Sequence, residues 1–199
     1  MKHAALALVA IWLLLPCASR AGEINLGSMT CDQYEKNLMN PPAAAAADAT
    51  AAHGDDAVNV VMWLFGFAVA KSGAHVMYGN ALQQFGNALD SECKAHPANT
   101  LLDSIGAVKL VETNPMDLGT LGCTLFETRH ADMVQSDPQS ATTIMMWLYG
   151  FSVGKAGGHV LNAAVLPEFA AALAKQCAAH PDDSVYGTLS ALKTPRAPK

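Results

Sequence analysis

The stretch MWLFGFAVAKSGAHV, residues 62–76, returns without a gap as MWLYGFSVGKAGGHV at residues 146–160, 84 positions later. At the same offset CKAHP (93–97) is matched by CAAHP (177–181). Between Met62 and Pro97, 18 of 36 positions are identical to their partners. A fixed internal period in a chain of 199 residues implies two copies of one structural unit, so the fold has to be read from that unit.

The repeated segment is apolar nearly all round: Met62, Trp63, Leu64, Phe65 and Phe67 in the first copy, Met146, Trp147, Leu148, Tyr149 and Phe151 in the second. A helix without a polar face must be buried on several sides. Gly66 and Gly150 each cost such a helix about 1 kcal/mol relative to alanine. Close approach of another helix would compensate, because Gly66-x-x-x-Ala70 and Gly150-x-x-x-Gly154 place small residues on one face. Two readings follow. The segment is an ordinary core helix, or it is a core that doubles as a concealed sticky surface or dimer interface. In the second case the contact residues are Met62, Trp63, Phe65, Gly66, Phe67, Met146, Trp147, Tyr149, Gly150 and Phe151. Methionine, adaptable on promiscuous surfaces, fits that second reading.

Working outward, Thr30 is the expected N-cap of a first helix beginning at Cys31, with Asp32 and Glu35 near the positive end of its dipole. Its counterpart is Cys123-Thr-Leu-Phe126-Glu127, so Cys-x-x-aromatic-Glu is shared. The offset here is 92 rather than 84, which places eight extra residues in the first copy, within the alanine-rich piece PPAAAAADATAAH (41–53). The long helices are expected to start at Asp55/Asp56 and Ser140 and to end at Lys71 and Lys155, with a glycine turn behind each. Further helices are expected over 80–95 and 166–179, stopped by His96-Pro97 and His180-Pro181. Short ones follow over 101–111 and 184–192. Residues 22–28 read as an irregular lead.

The N-terminus has a positive residue, the apolar run 4–16 and small residues at Ser19 and Ala21, the pattern of a secretory signal peptide cut after Ala21. A membrane span needs about 20 apolar residues, more than this run supplies. The expected organisation is therefore a signal peptide (1–21), a first repeat (29–111), a linker (112–120), a second repeat (121–193) and a flexible tail (194–199). The whole chain has 12 Lys and Arg against 17 Asp and Glu. Loss of Lys2 and Arg20 with the signal leaves a net charge of −7, with no basic stripe for nucleic acid or an anionic membrane surface. At about pH 2 carboxylates are largely protonated, and the same chain would carry about +16.

Cys31, Cys93, Cys123 and Cys177 survive signal removal. An even number in an exported chain reads as disulfides, and the repeat favours Cys31–Cys93 with Cys123–Cys177 among the three connectivities. No C-x-x-C or H-x-x-x-H spacing suggests zinc, and the expectation is no metal and no cofactor. His75 and His159 follow the glycine turns, while His96 and His180 stand at helix ends, where they suit the dipole as caps. All four are candidate pH sensors, since imidazole gains charge between pH 7 and 5. No serine lies in a nucleophile elbow and no glycine-rich phosphate loop is present, so an enzyme is not expected.

The order Cys-x-x-aromatic, then W-L-x-G-[FY] followed by a Lys-x-Gly turn, then Cys-x-x-His-Pro with a helix behind it, resembles the HdeA/HdeB family of small exported bacterial acid-stress chaperones. The second copy is the better match, from Trp147 through Lys155 and Gly157 to Cys177 and Pro181; the first matches at Trp63, Gly66, Lys71, Gly73, Cys93 and Pro97. Members of that family are usually single domains, whereas this chain is a tandem, and His75-Val and His159-Val depart from the family pattern. The resemblance implies an all-α fold of two small helical HdeA-like domains, each with one internal disulfide, with room for an internal pseudo-dimer. It also implies a periplasmic, ATP-independent chaperone that loosens in acid and binds unfolding client proteins, self-associates at neutral pH, and does not insert into membranes. The alternative is an envelope binding or immunity-type protein that recognises one specific partner at neutral pH.

Overall fold

A computed structural model describes residues 23–40, 52–78, 81–109 and 115–192. The expected signal peptide (1–21), the expected flexible tail (194–199) and most of the alanine-rich piece lie outside the described residues. The first copy contains β1 (Ile24–Asn25), α1 (Cys31–Tyr34) continuing as a π-helical turn (Glu35–Met39), α2 (Ala52–Lys71), β2 (Val76–Tyr78), α3 (Ala81–Ala95) and α4 (Leu101–Ala107). The second contains β3 (Pro115–Asp117), α5 (Cys123–Ser136), α6 (Pro138–Lys155), β4 (Val160–Leu161), a 3-10 turn (Ala163–Val165), α7 (Leu166–Ala179) and α8 (Val185–Ala191). The fold is all-α with two disulfides, Cys31–Cys93 and Cys123–Cys177, each inside one copy.

Each disulfide closes a corner built by the same local logic. The first N–H groups of a helix lack intrahelical acceptors. In α1 they find them in the His-Pro loop: Cys31 N donates to Asn99 O (2.9 Å) and Asp32 N to Pro97 O (3.0 Å). In α5, Cys123 N donates to Asp183 O (2.9 Å) and Thr124 N to Pro181 O (3.3 Å). Thr30 caps α1 in a capping box with Gln33. The copies diverge after that corner. Asn40 N closes a π-type bond on Glu35 O (2.8 Å), just ahead of Pro41-Pro42, whereas α5 meets no proline before Pro138 and runs for 14 residues. The long helix α6 begins before Ser140, the expected start. Asp137 is its N-cap, accepting from Ser140 N at 3.1 Å, and Pro138 takes the first turn, where its missing N–H costs nothing. Gly73 (φ 80°) and Gly157 (φ 74°) end α2 and α6 in the left-handed conformation, as the turn requires.

The lead is not irregular. Ile24–Asn25 pairs antiparallel with Val160–Leu161 of the other copy, and Pro115–Asp117, within the stretch read as linker, pairs with Val76–Tyr78. Each copy therefore lends its first strand to its neighbour. Leu26 and Leu118, just behind those strands, are 0% and 1% exposed. Their carbonyls accept the N–H groups of Leu102 and Tyr186 in the first turns of α4 and α8, both at 3.1 Å.

Candidate functional site

Residues 62–70 and 145–154 are buried without a break, which no amphipathic surface helix could manage. The reason is the crossing of α2 and α6, whose backbones touch at the two glycines. A Cβ added to Gly66 would overlap the carbonyl oxygen of Trp147, and one added to Gly150 would overlap that of Trp63. The relation is reciprocal, as a pseudo-two-fold axis through the crossing demands. Thr143 and Asn59, equivalent positions of the two copies, meet across it with Thr143 Oγ1 donating to Asn59 Oδ1 at 3.3 Å. The expected compensation for helical glycine is thus found between the copies, not within one.

Around the crossing the aromatic rings form two matching sets. Trp63 stacks on Phe67 and Trp147 on Phe151, each pair with centroids 5.5 Å apart. Edge-on contacts run between copies, Phe65 to Trp147 (6.3 Å) and Trp63 to Tyr149 (6.2 Å). All ten residues proposed from the sequence as an interface are buried on these two helices, and all but Met62 and Met146 make contacts between copies at the crossing or through the rings. It also holds polar atoms without partners. The indole Nε1 atoms of Trp63 and Trp147 and the Ser152 hydroxyl are buried and make no hydrogen bond. Each such group costs about 1–3 kcal/mol relative to a satisfied one. Burial also pushes the Tyr149 phenol above its ordinary range.

The four histidines are not brought together. His75 and His159 lie at the two ends of the seam, each against the lead of the other copy. The His75 carbonyl accepts from Leu118 N (3.0 Å) and that of His159 from Leu26 N (2.9 Å). At one end His75 Nε2 is 3.3 Å from Asp117 Oδ1, its ring lies 5.2 Å from that of Tyr186, and Lys155 Nζ donates to the Tyr186 hydroxyl at 2.9 Å. At the other end the equivalents of Asp117 and Tyr186 are Asn25 and Leu102, so neither an ion pair nor a phenol contact can form there. His96 and His180 stand exposed past α3 and α7, and His96 faces Glu92 at 3.7 Å, not a terminal carbonyl. Among the described residues no group of three or more His, Cys, Asp or Glu is arranged to hold a metal ion.

Residues missed from the sequence are the Asx turns that seat the histidines. Gly27 N donates to Asn25 Oδ1 (2.9 Å) and Gly119 N to Asp117 Oδ1 (2.7 Å). Carrying the 92-residue offset upstream of the first cysteines would have found them, as Asn25-Leu-Gly27-Ser28 against Asp117-Leu-Gly119-Thr120. A second site that sequence reading passed over is the acid pair beside the first disulfide. Glu35 Oε1 is buried with no donor facing it, and its carboxyl lies against that of Asp90. Desolvation, then sharing a proton with Asp90, raise Glu35 above its ordinary value of 4.5, against the pull of Lys94. Lys94 itself pairs with Asp90 at 2.6 Å. Burial likewise pushes up the neighbouring Tyr34 phenol, helped by Glu35 and Asp90.

Paired cysteines point to an oxidising compartment, and among the described residues no helix is long and apolar enough to cross a membrane. Comparison with protein-family models, with curated proteins and with solved structures matches nothing to this chain.

Proposed function

We propose that this protein is an exported, periplasmic, ATP-independent acid-stress chaperone whose client-binding surface is the seam between its two copies. One observation carries the reading. The apolar stretches of α2 and α6 bury each other between the copies, while each disulfide lies within one. The copies could therefore part without either losing its staple. Unpaired polar atoms in the seam support the same reading, because they leave that interface short of its full stability.

Acid would supply the driving force. Below about pH 4 carboxylates are progressively neutralised while Lys, Arg and His stay charged, and self-repulsion at high net charge favours separation. Exposed Trp63, Phe67, Trp147 and Phe151 would then cover apolar segments of an unfolding client, and the positive charge would keep the complex soluble. The test mixes the oxidised protein with an aggregating client at about pH 2–3, where carboxylates are neutral. Suppressed light scattering is expected. Precipitation as fast as in its absence would overturn the proposal.

A further inference from the structure

The two ends of the seam differ in more than charge. In the second copy Lys155, in the last turn of α6, is taken up by the Tyr186 hydroxyl, and the Tyr186 ring also packs on Phe151 at 6.1 Å. In the first copy the same positions hold Lys71 and Leu102. Leucine is shorter and cannot accept a hydrogen bond. Beside it lies a cavity of about 610 Å³ between the end of α2 and α4, lined by Phe67, Leu102, Ile105 and Val108 with Lys71 and Lys109 among its walls. That volume is in the range of about 300–1,000 Å³ typical of small-molecule sites. Neither lysine has an ion pair or a side-chain acceptor among the described residues, in a chain whose net charge is −5.

A lysine in the last turn of α2 is expected on dipole grounds alone. The dipole does not explain a second lysine without an ion partner among the described residues, nor a recess where the sister copy has a tyrosine. From this conjunction we infer that the cavity binds a single-chain amphiphile with a carboxylate headgroup. Its alkyl chain lies over the partly exposed Leu102 and Val108, with the buried Ile105 and Phe67 beneath them, and its headgroup is held by the ammonium groups of Lys71 and Lys109. Charge complementarity selects the anion, because an ammonium is donor only and a carboxylate acceptor only. The apolar wall selects the tail. This site adjoins the seam at Phe67 and would be filled in the closed, neutral-pH state.

Calorimetric titration of the full oxidised chain with monomeric dodecanoate at about pH 7.5, where ammonium and carboxylate are both charged, tests the site. Saturable one-to-one binding is expected, with dodecanol weaker. The exposed pair Lys71→Gln/Lys109→Gln should weaken dodecanoate by about tenfold or more, the scale of charge-assisted hydrogen bonds. Leu102→Tyr, which gives Lys71 the partner that Lys155 has, should weaken it comparably. Circular dichroism and thermal melting of each variant establish that it has folded. Three results would overturn the inference: no saturable binding, equal binding by wild type and both variants, or association only with anionic vesicles and not with monomeric amphiphile.

Discussion

At the scale of single residues, sterics at the helix crossing outweigh helix propensity. Alanine at Gly66 or Gly150 gains about 1 kcal/mol of propensity but must push a carbonyl of the opposite helix aside. Overpacking against backbone costs about 1–3 kcal/mol or more, so either substitution should lower the unfolding free energy, measured in denaturant. Gly86 is the contrast, since its added Cβ would meet only Val61 Cγ1 at an ordinary 3.7 Å. Gly86→Ala should stabilise by about 0.5–1 kcal/mol. Ser152 is 2% exposed with an unpartnered hydroxyl, and its equivalent in the first copy is Ala68. Ser152→Ala should therefore raise stability by about 1 kcal/mol in the same experiment, and a loss would mean that the hydroxyl has a role unseen here. Glu35 gives a pH signature. A carboxyl raised above its unfolded value contributes stability that is full below pH 4.5 and is lost as pH rises through the folded value. Glu35→Gln should then melt higher than wild type at neutral pH and equal to it below about pH 4.5.

At the scale of elements, the first disulfide corner and the cap of a seam helix answer acid in opposite senses. The first disulfide corner firms as Glu35 takes up its proton. The cap of α6 behaves otherwise, because Asp137 is held below its ordinary value of 3.8 by hydrogen bonds from the Ser140 side chain and backbone. Its contribution is present above that value and is lost as pH falls through the depressed one. The helix losing its cap is a seam helix, while the element that firms is the first stapled corner. The staples themselves span sequence separations of 62 and 54 residues. In the chain-entropy model each stabilises by about 4 kcal/mol. Replacing Cys123 and Cys177 together by alanine should cost about that much in denaturant unfolding. A loss below about 1 kcal/mol would mean that the unfolded chain is already constrained near that corner.

At the scale of the whole molecule, two copies share one core, and the tryptophans make its opening visible. Trp63 and Trp147 are both 0% exposed and are the only tryptophans outside residues 1–21. Emission from the chain without the expected signal peptide (1–21) therefore reports the seam alone. Titration from about pH 7 to pH 2 should shift it to the red and raise the binding of an apolar dye in step, while the far-ultraviolet helical signal largely persists in the oxidised protein. A flat emission profile would sink the chaperone reading while leaving the amphiphile site untouched, since that site is tested near neutral pH.

Much of this was legible in the sequence because a repeat makes each residue testify twice. The period, the all-apolar helices, the cysteine pairing and the stops at His96-Pro97 and His180-Pro181 are local or self-comparing signals, and composition alone supplied the charge swing. What the sequence left open needed geometry between copies. Asn25 and Asp117 look like ordinary loop residues until the strands exchange, and Gly66 and Gly150 show small faces without naming the surface they meet. The acid pair of Glu35 and Asp90, 55 positions apart, exists only because the disulfide corner brings α1 against α3. Local pattern determines which segments become helices and which must be buried. Only the packing of one copy on the other decides what buries them, because contact between distant segments leaves no mark on either segment alone.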